Sequence, residues 1–326
     1  MTEKLNLNGP ADLLATVPHL LGVKPVESFV VLTARAGSLG ATLRTDAPEH
    51  VEPVSYAQTL TSHAANDEQA TASYVIVYTD EHLDSGYPYA VHVAALVNEL
   101  AAARMPVRNV WLVTSGYWAE FGTDEQNPLA QITDSQANAT LTYFGSATDV
   151  DVYNPALLGT WALRVQAPEG SEEDIEAACK AWAAVLDATE NPDQQTAREI
   201  AAAFQHKMVR DFLFRETITT HNGNFADVML GKFTARPDWD RVDRAEALAF
   251  ELMKVVPAGQ RAPMLTLMGW LEWLKGNGTQ ADRYLKHAAA DVPDFRLAVL
   301  MRELITRGSI AEVARDAATS YKRRLI

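Results

Sequence analysis

Leu13, Leu14, Val17 and Leu21 recur at helical spacing behind Asn8-Gly9-Pro10 and predict a short first helix. Pro10 suits its first turn, Gly22 its end, and Pro18 should distort it. The period then changes from helical to extended. Ser28-Phe29-Val30-Val31-Leu32-Thr33 reads as a strand, Arg35 to Ser38 as a turn, and Leu39 to Arg44 as a returning strand, so a hairpin is expected. A helix over about 54–65, a strand over 74–78, a helix from Ser85-Pro88 with Val93, Leu96, Val97 and Leu100 on its face, and a strand over 110–113 follow.

Residues 74–78 and 110–113 are near-continuous apolar runs, the pattern of strands covered on both faces and joined by helical crossovers. The expectation is an α/β N-terminal domain with a mixed, mainly parallel sheet and helices on both faces. Past Gly116 the pattern weakens: 117–121 reads as an extended segment after a bend, 135–144 as a helix and 161–165 as a further strand. Pro168-Glu169-Gly170 is the best boundary, giving domains 1–168 and 169–326.

From Ser171 onward the periodicity is helical, around 174–187, 194–214, 224–232, 240–255, 262–275, 279–290 and 294–307. Ser171 followed by Glu172-Glu173-Asp174 is a helix start, a capping hydroxyl with carboxylates near the positive helix end. Residues 267–293 are similar to one tetratricopeptide helix pair, so an all-α C-terminal domain with such pairs is expected.

The chain has 326 residues, 48% of them hydrophobic and 21% charged, ample for two cores. Its net charge is −14 and unevenly spread: residues 1–168 carry 7 basic and 18 acidic side chains, a net of −11. An acidic half repels phosphate backbones, so no nucleic-acid partner is expected there. Lys322-Arg323-Arg324, the one basic cluster, reads as a frayed tail. The single cysteine, Cys179, excludes an intrachain disulfide and reads as core beside Ile175, Trp182 and Leu186. No apolar signal core and no run of membrane-spanning length is present, so a cytoplasmic location without membrane contact is expected.

Two blocks carry a family resemblance. The first is Pro10-Ala11-Asp12-Leu13-Leu14-Ala15, Val17-Pro18-His19-Leu20-Leu21-Gly22-Val23, Pro25, Glu27-Ser28 and Val30-Val31, with Arg44 and Asp46 after the second strand. The second is Gly269-Trp270-Leu271-Glu272-Trp273 and Gly276-Asn277-Gly278-Thr279-Gln280-Ala281, with Ala288, Pro293, Ala298 and Leu300. Together they resemble the domain of unknown function 4192 family, in sequential order over most of the chain. The resemblance implies an actinobacterial or phage source and brings no activity. Many members carry a cysteine-rich segment after the position of Trp118. Here the residues from Phe121 to Ala178 contain no cysteine, so a metal or redox role does not transfer.

Strands that share a direction deliver their ends to one edge, where open α/β sheets bind ligands. The candidate ligand-binding residues at that edge are Ser28, Arg44, Asp46, Asp80, His82 and Ser115. They could hold a small polar ligand, or set His82 as a base beside Asp80 or Asp46; the plainer reading is strand ends and helix caps. Asp80, His82 and Asp84 have metal-ligand types without a ligand spacing, and no metal is assigned. No phosphate loop, dinucleotide fingerprint or nucleophile elbow exists, so no cofactor is implied. His19 reads as packed and His92 as solvated. Trp270 and Trp273 share a helix face; burial is the plainer reading, and a peptide groove is the alternative. The leading expectation is a non-catalytic protein-interaction or small-ligand-binding protein with an unidentified protein partner. An enzyme acting on a small polar substrate and a phage accessory protein binding a host factor are the alternatives.

Overall fold

Pro10 opens helix α1 (Pro10–Leu21), where its missing N–H has no helical acceptor to serve, and Gly22 closes it in the left-handed conformation at φ 69°. The computed structural model describes residues 5–81, 86–143, 146, 148, 158, 162–316 and 318–321. Contrary to the distortion expected at Pro18, the helix continues through it to Leu21; the Pro18 carbonyl instead accepts from Val23 N.

The expected hairpin forms as β1 (Ser28–Arg35) and β2 (Ser38–Asp46), turning at Gly37 with φ 79°. Helix α2 (Pro53–Ala64), β3 (Ala72–Tyr78), α3 (Ala90–Ala102) and β4 (Val107–Val113) follow, then β5 (Tyr117–Glu120), β6 (Asn127–Pro128), α4 (Ala130–Thr133) and α5 (Gln136–Tyr143). The six strands lie in the order β2-β1-β3-β4-β5-β6. β3 and β4 pair in parallel and every other pairing is antiparallel. This corrects the expected mainly parallel sheet. The hairpin folds so that β1 pairs with β3, which inserts an antiparallel strand inside the first strand-helix-strand unit. Both neighbours of β1 therefore oppose it, while β2, β3 and β4 keep one common direction.

Helices do cover both faces. Phe29, Val31, Val75, Val77 and Leu112 pack with Tyr56, Ala57 and Leu60 of α2 and Val93, Leu96 and Leu100 of α3. On the other face Val30, Leu32, Ile76, Tyr78 and Trp111 pack with Leu13, Leu14, Val17 and Leu21 of α1. Alternate side chains of β1 and β3 thus bury on opposite faces, and this two-sided burial is why their sequences read as apolar runs.

The chain divides into two compact units, one within residues 1–150 and one within 151–323. The division falls before the expected boundary at 168, because residues 163–165 are held by the helical unit. Gln260 exchanges two hydrogen bonds with the Val165 backbone, at 2.9 and 2.8 Å, and Arg198 donates to the Leu163 and Arg164 carbonyls. The strand expected over 161–165 is absent in its described part, 162–165; the Gln260 amide stands where a neighbouring strand would. Trp161 lies outside the described residues.

The second unit comprises α6 (Glu172–Asp187), α7 (Gln194–Ala203), α8 (Lys207–Thr217), α9 (Phe225–Met229), α10 (Trp239–Met253), α11 (Ala262–Leu274), α12 (Gly278–Asp291), α13 (Arg296–Thr306) and α14 (Glu312–Arg315). Ser171 caps α6 in a reciprocal box with Asp174. Every residue of α11 is buried, with α10, α12, α13 and α14 packed around it. One hub helix organises this unit, whereas stacked helix pairs leave each helix a free face. Gly269 sets the closest approach: a Cβ there would lie 2.7 Å from Leu285 Cγ and 3.1 Å from the Ala281 carbonyl.

Candidate functional site

The common direction of β2, β3 and β4 brings their carboxyl ends to one edge, together with the start of the antiparallel β1. Ser28 stands opposite Asp46 on one side and Tyr78 on the other, and Tyr78 stands opposite Val113. The candidates at this edge separate into two groups.

The first group locks the hairpin. Arg44 Nε donates to Ser28 Oγ at 3.0 Å, and its Nη2 lies 2.7 Å from Asp46 Oδ1. Ser28 Oγ in turn donates to the Val26 carbonyl, and Tyr56 Oη donates to the Asp46 carbonyl at 2.9 Å. The Ser28 hydroxyl and the Nε and Nη2 of Arg44 are engaged within the fold, and none of Ser28, Arg44 and Asp46 lines the cavity described next.

The second group borders a cavity of about 350 Å³ on the α1 face of the sheet. Glu27 enters β1 in the left-handed region, φ 39°, a strained conformation for a residue with a Cβ. Its two carboxylate oxygens accept from Thr79 Oγ1 at 2.7 Å and Asp80 N at 2.8 Å. Asp80 Oδ1 accepts from Ser115 N at 2.6 Å, which ties the end of β3 to the end of β4. Thr114 Oγ1 donates to the Tyr117 carbonyl and accepts from Gly116 N and Tyr117 N.

The floor and near wall are Leu14, Ala15 and Pro18 of α1 with Tyr78 and Val113 of the sheet; Leu129, Ile132 and Asn138 form the far wall, and Lys24, Pro25 and Val26 the lip. Two polar residues of α1 hold the far wall in place. Asp12 accepts from Ala137 N at 3.1 Å, and the His19 ring meets Asn138 Oδ1 at 2.9 Å and Ser146 Oγ at 3.0 Å. His19 is buried, as its reading as a packed residue expects.

Of the six candidates, then, Asp80 and Ser115 reach the cavity, Ser28, Arg44 and Asp46 form the separate lock, and His82 lies outside the described residues, as does Asp84. Sequence reasoning missed two cavity residues. Tyr78 is only 8% exposed, and its hydroxyl has no hydrogen-bond partner among the described residues; burial raises its pKa, so it stays a neutral donor. Lys24 is exposed at the lip, and its ammonium makes no ion pair among the described residues. Tyr78 reads as the last position of an apolar strand and Lys24 as a loop residue before Pro25. Only the assembled edge shows that they face one space.

His92 is not simply solvated. It makes a 2.9 Å hydrogen bond with the Val51 carbonyl and edge contacts with Tyr56 and Tyr89. Trp270 and Trp273 are both buried, donating to the carbonyls of Met229 at 3.1 Å and Ser309 at 2.8 Å, so neither lines an exposed groove. Cys179 is half-buried against the helical core, and burial raises its thiol pKa. The helical unit also holds a buried charge cluster. Lys275, with 5% of its side chain exposed, meets Glu246 at 2.5 Å, Asp243 at 2.7 Å and Glu272 at 3.4 Å. Burial alone would depress the Lys275 pKa; the three carboxylates outweigh it and raise it. Burial, with the Glu272 charge, pushes the Glu246 carboxyl up to about 7.

Among the described residues no group of three or more His, Cys, Asp or Glu side chains is arranged to hold a metal ion, and no helix is long and apolar enough to cross a membrane. A family model described as a domain of unknown function (DUF4192) matches residues 10–152 and 156–310, and the break between the two matches falls next to the division between the compact units. No curated protein and no solved structure matches the chain.

Proposed function

This chain belongs to the DUF4192 family, and since that membership carries no activity, we propose from its own geometry that it is a non-catalytic binding protein for a small molecule, held in the cavity at the carboxyl edge of the sheet. The observation that carries this reading is the cavity itself, an apolar floor under a polar rim at the place where such sheets bind ligands. Its volume of about 350 Å³ suits a small ligand. The rim is built rather than incidental: Glu27 is held in a strained conformation, and its carboxylate and that of Asp80 brace three chain segments at the opening. Those carboxylates hold backbone and hydroxyl donors, a positioning task, which favours binding over the enzyme reading. Trp270 and Trp273 are buried, so the aromatic-groove alternative gives the protein-interaction reading no support.

The test uses a neutral apolar dye, N-phenyl-1-naphthylamine, titrated against the full chain by fluorescence. Saturable one-site binding is expected, weakened at least about tenfold by Ala15→Leu, which fills the cavity from α1. Because filling a cavity also stabilises an empty protein, the same variant should melt at a higher temperature. Equal dye binding by the variant and the parent chain overturns the reading.

A further inference from the structure

The cavity's free hydrogen-bonding groups are mostly donors, the exception being Asp80 Oδ2. Glu27 has both carboxylate oxygens engaged, Asp80 has Oδ1 engaged, and Thr114 Oγ1 is fully engaged. Asn138 donates to the Thr133 carbonyl and meets the His19 ring, and Thr133 Oγ1 donates to Ala130. Four donor groups of the lining remain without a partner among the described residues: the Tyr78, Ser115 and Thr148 hydroxyls and the Lys24 ammonium. Lys24 is the one cationic side chain among the lining residues, and it stands against the carboxylates of Glu27 and Asp80, of which both Glu27 oxygens and Asp80 Oδ1 are already engaged by donors.

Their placement is coherent. Tyr78 lies at the end of β3, opposite Val113, and Ser115 lies in the bend just beyond β4, tied to β3 by the Asp80 contact. Lys24 sits on the lip formed by the segment that leads from α1 into β1. Below them the surface is Leu14, Ala15, Pro18, Val113 and Ile132, which offers nothing to a second polar group. The Tyr78 side chain is buried while its hydroxyl opens on the cavity without a protein partner among the described residues, so a ligand acceptor can bond it there.

We infer that the ligand is a small amphiphile, an apolar body ending in one anionic oxygen group, with the anion held by Lys24, Tyr78 and Ser115. The inference rests on the binding reading above and specifies its ligand class. A neutral alcohol of the same size is disfavoured because it forgoes the charge-assisted hydrogen bond to Lys24, and a cation because both Glu27 oxygens and Asp80 Oδ1 are already engaged by donors while Lys24 is not engaged among the described residues. With a net charge of −14 on the chain and two carboxylates at the same opening, any preference for an anion has to come from direct contact with Lys24 rather than from a long-range field.

The experiment displaces the neutral dye from the full-length chain with three ten-carbon competitors, decanoate, decanol and decylamine, and with decyl phosphate to compare anionic head groups. Decanoate or decyl phosphate should compete at least about tenfold better than decanol and decylamine. Lys24→Met should abolish that advantage, read as the ratio of decanoate to decanol competition in the same variant so that any change in dye affinity cancels. Tyr78→Phe should weaken the anion about three- to fivefold, the loss of one hydrogen bond. Lys24 is exposed, so its variant is expected to fold normally; a melting curve checks this. If the dye binds but decanol or decylamine competes as well as the anions, or if Lys24→Met leaves anion affinity intact, the ligand class is wrong and the cavity reading stands. If the dye does not bind in an Ala15-dependent way, the cavity reading falls and the class falls with it.

Discussion

At the residue scale, Gly40 and Asp67 show how one missing methyl group makes room for a buried carboxylate paired with a partly exposed arginine. Asp67 accepts from Thr33 Oγ1 and from Arg35 Nε at 2.9 Å, with Ala41 N at 3.2 Å, beside the irregularity in β1 between Leu32 and Ala34. Burial pulls the Asp67 pKa up, but the hydrogen bonds from Arg35, Thr33 and Ala41 outweigh it and hold it below the usual carboxylate range. A Cβ on Gly40 would stand 2.0 Å from Asp67 Oδ2 and 2.4 Å from Thr33 Oγ1. Gly40→Ala should therefore expel the carboxylate and cost about 2–3 kcal/mol in a denaturant titration. Glu246 gives the pH prediction. Its folded pKa is raised above the unfolded value of 4.5 to about 7, so its contribution is present below pH 4.5 and is lost as pH rises towards 7. Glu246→Gln should flatten that stretch of the stability profile and stabilise the protein at pH 8 by about 1 kcal/mol, with the 19% exposure of the side chain keeping the effect small. A profile identical to that of the parent chain would remove Glu246 as the titrating group.

At the scale of elements, starts and close contacts matter most. Helix α6 begins at a position the sequence marks plainly, and the Ser171–Asp174 box supplies the capping chemistry; Ser171→Ala should cost about 1 kcal/mol by thermal melting. Gly170, just before it, carries a constraint that no sequence pattern reveals. It adopts φ 85°, and an added Cβ would lie 2.1 Å from the His206 ring. Gly170→Ala should thus be the more damaging of the two, by about 1–3 kcal/mol. At the α11–α12 contact, Gly269 plays the same part against Leu285, and Gly269→Ala should separate the two helices at a cost of about 1–3 kcal/mol. The helical pattern over 194–214 ran through a break that the chain makes at Phe204–His206. There Gln205 turns back to the Ala201 and Gln260 carbonyls, and a side-chain bond to a distant segment has no local signature.

At the scale of the whole molecule, each unit has its own buried cluster or clusters, so residues 1–150 and 151–323 expressed separately should each unfold cooperatively, as calorimetry can check. A featureless melt from either fragment would show that its core is incomplete. Most elements of both units were legible in the chain, because periodicity reports which faces are buried, and burial is what a strand or helix face needs to form. Burial on both faces, however, does not say which strand lies alongside. The apolar runs of β3 and β4 are compatible with parallel neighbours throughout; the mostly antiparallel sheet comes from the pairing of β1 with β3, across residues far apart in sequence, together with the hairpin β1–β2 and the short strands β5 and β6. The edge fared likewise. The common direction of β2, β3 and β4 and the arrival of Asp80 and Ser115 at one rim could be read from strand order and length alone. That Arg44 closes onto Ser28 and Asp46, while Tyr78 and Lys24 face the cavity, depends on side-chain distances that only the assembled fold sets. Local chemistry along the chain thus determined the elements, their caps and their buried faces; pairing partners, the hub position of α11 and the membership of the cavity were decided in three dimensions, because those contacts join residues whose separation in sequence carries no periodic signal.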